Sequence, residues 1–180
     1  MSNLVAPHQP HIVKLSNVKQ PVESFADREC ELVKIVKRTD SLTFQVLWGM
    51  GGIGKTQLAK HFAKVNNDHY PISWWLSGNT LMEDYKKLAD AFNDETLDKK
   101  INLQSDMTDE SVVASIVKAL ERNGNWLLIF DDLQIDQLKL IPENIIGQKH
   151  GHILITSRRS TWANMTLIEV PLMTEPQAIQ

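Results

Sequence analysis

Gly49-Met50-Gly51-Gly52-Ile53-Gly54-Lys55-Thr56 stands between an apolar run at 43–48 and a helical pattern at 55–65. The octapeptide matches G-x-x-x-x-G-K-[ST], a loop that joins a strand to a helix. The chemistry of phosphate binding accounts for the spacing. Glycines let the main chain turn tightly and aim successive N–H groups at one anion. The helix that opens near Lys55 adds the positive end of its dipole. Lys55 would reach the β- and γ-phosphates of a nucleotide, and the Thr56 hydroxyl would ligate Mg²⁺. Gly49, Gly51 and Gly54 also satisfy G-x-G-x-x-G, the mark of a dinucleotide site. That alternative wants an acidic residue about 20 positions further on, at the end of the second strand. The second run, Ile72-Ser73-Trp74-Trp75-Leu76, ends instead in Ser77 and Gly78. Lys55-Thr56 would also have no task there, so the mononucleotide reading is preferred.

Outward from the loop, five short apolar runs at 43–48, 72–76, 126–130, 152–156 and 166–170 read as strands. Several are continuously apolar, as strands covered on both faces are. Helical patterns lie between them at 55–65, 81–92 and 110–122. In the second, Leu81, Tyr85, Leu88 and Phe92 form a stripe at helical spacing. The third follows the cap candidates Thr108 and Asp109 and stops before Gly124. A further helix is expected over 28–38, with Asp27 as its cap. The alternation predicts a three-layer α/β/α sandwich around a five-stranded, mostly parallel sheet, and the loop at 49–56 makes it of the P-loop NTPase type. Residues 1–20, with Pro7 and Pro10 and no periodicity, read as an arm or linker. Residues 97–108 read as a surface loop.

Trp126-Leu127-Leu128-Ile129-Phe130-Asp131-Asp132 is an apolar strand that ends in two carboxylates. Ligands of open α/β sheets bind outside the carboxyl ends of the strands, so the pair belongs on the same edge as the glycine loop. Asp131 is placed to hold Mg²⁺, and Asp132 to orient or deprotonate an attacking water. His152-Ile153-Leu154-Ile155-Thr156-Ser157-Arg158-Arg159 is a second buried strand, and it ends in cations. A guanidinium there can read a γ-phosphate and stabilise charge during phosphoryl transfer. Physics alone does not choose between Arg158 and Arg159.

Composition narrows the classes. The chain has 180 residues, 42% of them apolar and 23% charged, as in an ordinary globular domain. No apolar run approaches the roughly 20 residues that span a bilayer. The first residues lack the apolar core of a secretory signal. A lone Cys30 has no internal disulfide partner and suits a reducing cytoplasm. The net charge of −3 argues against a broad nucleic-acid-binding surface. Trp48, Trp74, Trp75 and Trp126 read as core residues. His150 and His152 read as a solvated turn.

GMGGIGKT followed by Gln57-Leu58-Ala59, then LLIFDD and ILITSR, resembles the NB-ARC nucleotide-binding domain of the STAND ATPases. Phe25-Ala26-Asp27-Arg28-Glu29-Cys30-Glu31-Leu32 resembles that family's F-x-G-R-E-x-E-L opening motif, which borders the adenine. Asp27 stands where the family usually has Gly. The resemblance covers about 21–173. It implies an ATP/ADP-binding switch domain with slow, Mg²⁺-dependent hydrolysis. Gly49, Met50, Gly51, Gly52, Ile53, Gly54, Lys55, Thr56 and Gln57 would hold the nucleotide, and Ala26 and Arg28 its nucleoside. Thr56 and Asp131 would hold the metal. Asp132, Lys55 and Arg158 would serve catalysis, Arg158 as the end of the family's T-S-R sensor. Residues 171–178 (PLMTEPQA) resemble the way into a helical subdomain, which would start by 174–180. The lid, winged-helix, effector and repeat domains of such proteins are expected in a longer chain, together with a nucleotide-dependent homo-oligomer. Two alternatives from other classes are an assembly scaffold that holds ADP without turnover and an AAA+-like ATPase acting on nucleic acid. The latter would prefer Asp-Glu over Asp131-Asp132.

Overall fold

The computed structural model describes residues 13–22, 28–35, 43–95, 100–141, 151–163 and 165–172. The strands are β1 (Leu15–Ser16), β2 (Thr43–Trp48), β3 (Ile72–Ser77), β4 (Trp126–Asp131), β5 (His152–Ser157) and β6 (Thr166–Glu169). The helices are α1 (Glu29–Leu32), α2 (Lys55–Val65), α3 (Leu81–Glu95) and α4 (Asp109–Glu121), with a 3₁₀ turn at Ile135–Leu140. The six strands form one sheet in the order β1-β3-β4-β5-β2-β6. Every pairing is parallel.

The five expected strands are present, and the sheet has a sixth. Leu15–Ser16, inside the expected arm, pairs with Ile72 and Ser73 at the edge of the sheet. Asn17 extends that attachment. Its amide donates to Trp75 O at 3.0 Å and its side-chain oxygen accepts from Trp75 N at 2.6 Å. Two residues carry no periodicity, so this strand leaves no pattern in the sequence.

Side-chain alternation splits the core between the two faces of the sheet. Leu76, Leu128, Phe130, Ile153 and Ile155 face α3 and α4. Leu47, Leu127, Ile129, Leu154 and Ile168 face α2. The result is the expected α/β/α sandwich. Trp74 and Trp126 are buried, and Trp48 and Trp75 pack partly buried against the two cores, one on each face. Thr108 caps α4 by accepting from Ser111 N, as its type and position require. The first helix, expected over 28–38, is the short α1, which passes into a turn at 33–35; Asp27 and the residues beyond Ile35 lie outside the described residues.

His152 corrects the reading of a solvated turn. It is fully buried at the start of β5, with Nδ1 2.9 Å from the Tyr70 hydroxyl and its ring edge-on to Phe62. The cause is the sheet order. With β5 in the centre, α2 and the turn before β3 close over its first residue. His150 lies outside the described residues.

Candidate functional site

The glycine loop leaves β2 and enters α2 at the C-terminal edge of the sheet. Gly54 has φ 97° and forms the left-handed N-cap of α2, a backbone state that costs glycine little. At Gly49 the constraint is close approach. A Cβ there would lie 2.8 Å from Val170 O and 2.5 Å from Ile53 Cδ1. The Ile53 side chain is buried in the α2-side core and anchors the loop, while Met50 points outward, 67% exposed. What the loop offers on its concave side is therefore main chain, and successive amides ahead of a helix make an anion cradle.

Lys55 is buried at the base of this loop. Its ammonium donates to Gly49 O at 2.9 Å and to Met50 O at 2.7 Å. Burial and then the neighbouring Arg158 lower its pKa, while Asp132 and Asp131 oppose the shift. These charges therefore share one electrostatic site. Thr56 donates its hydroxyl to Asp131 Oδ1 at 3.0 Å. Thr156 donates to the same oxygen at 2.6 Å and accepts from Asp132 N at 3.0 Å. Asp132 has φ 53°, an uncommon left-handed state for a non-glycine residue. It lines a cleft of about 310 Å³ with Ser157, Arg158, Arg159 and Trp162.

The sheet order explains why these groups meet. β5 lies between β2 and β4. Its C-terminal end therefore separates the glycine loop from the two aspartates and delivers Thr156, Ser157 and Arg158 into the gap. The Arg158 guanidinium carbon stands 3.7 Å from the place a Cβ would occupy at Gly51. Arg159 turns aside, with Nε donating to Thr161 O at 3.0 Å.

Two other expected site residues make main-chain contacts around the loop. The Gln57 side-chain oxygen accepts from Val22 N at 3.0 Å, which directs it to the N-terminal segment. Arg28 is 4% exposed and donates to Ile53 O at 3.0 Å and Pro171 O at 2.9 Å. It ties the start of α1 to the glycine loop and to the segment after β6. Ala26 lies outside the described residues. Thr156, quoted within the ILITSR motif but given no role there, is the residue that contacts both aspartates. A threonine one residue short of the end of a strand beside the Asp131 strand would have signalled it, once the two strands were known to be adjacent.

Thr56 and Asp131 present two hard oxygen donors side by side, which suits Mg²⁺ held by few protein ligands plus phosphate and water. Among the described residues no group of three or more His, Cys, Asp or Glu forms a metal cluster.

A glycine loop between strand and helix, a lysine and a hydroxyl at the helix start, and a covered parallel sheet define a P-loop NTPase-type domain. Residues 27–175 match the model of the NB-ARC domain, and the chain belongs to that family. Solved structures agree on the fold. A signal transduction ATPase with numerous domains (STAND) from Pyrococcus horikoshii, with a tetratricopeptide repeat sensor, aligns over 89% of this chain and 25% of its own. Its identity is 21% and its TM-score 0.53. The ORC1 protein of Aeropyrum pernix, solved with DNA, aligns over 84% and 47%, at 18% identity and TM-score 0.52. A Walker-type ATPase of Pyrococcus abyssi aligns over 89% and 58%, at 14% identity and TM-score 0.56. In each case this chain corresponds to only part of the larger protein. No curated protein matches. Among the described residues no helix is long and apolar enough to cross a membrane.

Proposed function

We propose that the chain is an adenine-nucleotide switch domain that binds ATP and ADP and hydrolyses ATP slowly with Mg²⁺. The observation that carries this reading is the convergence at one sheet edge of the glycine loop, Lys55, the Thr56–Asp131 pair and Arg158. Family membership supports the nucleotide-binding part.

In this reading the loop amides grip the phosphate tail. The Lys55 ammonium exchanges its two loop carbonyls for β- and γ-phosphate oxygens. Thr56 and Asp131 would hold Mg²⁺, which would offset the negative charge of the phosphate oxygens. Thr156 fixes the Asp131 carboxylate by hydrogen bonding to it. Asp132 orients a water for attack on the γ-phosphorus and takes its proton, while the bond from that phosphorus to the β,γ-bridging oxygen breaks and ADP leaves. Arg158, over Gly51, meets the charge of the terminal phosphate. Loss of that phosphate removes the partner of Arg158 and releases the arrangement of neighbouring domains that it favoured. Those neighbours would be a helical lid, a winged-helix domain and sensor or effector domains of a longer chain. A nucleotide-dependent homo-oligomer in the cytoplasm completes the proposal.

Calorimetric titration with Mg-ATP, paired with a phosphate-release assay, tests the roles. Lys55→Ala should abolish binding. Asp132→Asn should bind like the parent and release no phosphate. Equal binding by Lys55→Ala and the parent would remove Lys55 from the site. Purified protein that carries ADP and shows no turnover in the parent would favour the static ADP-holding scaffold.

A further inference from the structure

A second concavity lies away from the nucleotide edge. It has a volume of about 410 Å³ and is formed by residues of the 14–20 segment, the second half of α2 and the turn into β3. Lys14, Lys19, Lys60 and Lys64 surround it, with Asp68 as its one carboxylate. Among the described residues none of these four lysines takes part in an ion pair, although acids outnumber bases in the chain by 22 to 19. The lining between them is partly apolar, with Leu15, Ala63, Tyr70 and Pro71. Lys60 is additionally held with its ammonium 5.6 Å from the centre of the Trp75 ring. Lys64 follows Lys55 by nine positions on α2, which places the two about 13 Å apart along the helix. A ligand here therefore need not meet the glycine loop.

A local excess of cations in an acidic chain attracts and selects ligands of opposite charge. From this cluster we infer that the groove docks an acidic peptide segment of a partner protein. Carboxylates of the segment meet Lys14, Lys19, Lys60 and Lys64, and an interspersed apolar side chain rests on Leu15 and Pro71. Charge complementarity with an apolar floor favours a peptide over a nucleic acid. A nucleic-acid site stacks bases on open aromatic faces, whereas the one aromatic residue of this lining, Tyr70, is buried. The inference stands on this groove alone and does not depend on the nucleotide reading.

Fluorescence anisotropy with a labelled dodecapeptide of alternating Glu and Leu tests it on the full chain. Saturable binding that weakens with added salt is expected. A Lys19→Glu/Lys64→Glu variant should lose about tenfold in affinity, and a Lys86→Glu/Lys118→Glu control on α3 and α4 should lose none. A matching Lys-Leu peptide should bind the Lys19→Glu/Lys64→Glu variant better than it binds the parent. Melting temperatures near the parent's confirm that each variant is folded. Lys14→Gln/Lys60→Gln gives a milder second variant should the reversal unfold the chain. No binding by the parent, or equal loss in the control variant, overturns the inference. Tighter binding of a labelled single-stranded DNA of the same length overturns it as well, and makes the groove a nucleic-acid site. Binding of Mg-ATP unchanged in Lys19→Glu/Lys64→Glu separates this outcome from any failure at Lys55.

Discussion

Asp131 shows how one carboxylate oxygen can join two strands and a helix. Its Oδ1 accepts from Thr56 at the head of α2 and from Thr156 near the end of β5. Thr156 in turn accepts from Asp132 N, so one buried hydroxyl positions both acids. Removing that hydroxyl by Thr156→Val keeps the shape of the side chain but leaves two polar groups short of a partner. The expected cost is about 1–3 kcal/mol in urea unfolding. A purely structural role ends there. A positioning role also weakens Mg-ATP binding more than binding of metal-free ATP, because only the metal-bound ligand needs the Asp131 carboxylate held toward Thr56. Thr156→Ser, which restores the hydroxyl, should recover most of the affinity. Equal loss for both nucleotide forms, with no rescue by serine, would reduce Thr156 to packing.

Most strands and helices were legible from their runs, whereas the helix expected over 28–38 is α1 over Glu29–Leu32, followed by a turn at 33–35. β2 and α2 occupy the residues expected of them, and β3, β4 and β5 each extend one residue further. What the chain does not display is adjacency. The position of β5 between β2 and β4 follows from crossovers that bring distant segments together, and no local pattern records them. Arg158 could thus be picked out only by resemblance, and its place over Gly51 follows from that order. Gln57 and Arg28 turn to main-chain partners for the same reason, since Val22 and Pro171 are neighbours only in the fold. His152 is the clearest case at this scale. Burial, followed by the charge of His69, lowers its pKa from 6.5 to about 3. The unfolded chain then binds a proton below pH 6.5 that the folded chain does not. The stabilisation is complete above pH 6.5 and is lost as pH falls toward 3, with a slope reaching about 1.4 kcal/mol per pH unit. Between pH 7 and pH 5 this one group should remove about 2 kcal/mol. His152→Gln, although less stable at pH 7 than the parent, should show a pH dependence shallower by that amount in urea titrations. Parallel pH profiles for the two proteins would mean that the imidazole protonates without unfolding the chain.

Across the whole molecule, the two cores and the nucleotide edge pull on different parts of the chain. The helical faces are sealed by apolar side chains from both sides of the sheet. At the C-terminal edge polar contacts join the buried Ile53 anchor: the Lys55 ammonium on loop carbonyls, Thr56 on Asp131, and Arg28 bridging Ile53 to Pro171. A ligand that binds this edge only in the folded state must stabilise the fold by mass action. At a nucleotide concentration about 100 times Kd the gain is about 2.7 kcal/mol. For a chain of this length that corresponds to a rise in Tm of about 5–10 °C. Thermal melts should therefore climb steadily with Mg-ADP or Mg-ATP in the parent. They should stay flat in Lys55→Ala, whose ammonium is missing from the loop. The comparison also separates binding from turnover, because Asp132→Asn should rise as far as the parent while releasing no phosphate. A parent melting curve that ignores both nucleotides at saturating Mg²⁺ would mean that this edge, although built from phosphate-binding parts, does not hold a nucleotide in the chain as it stands.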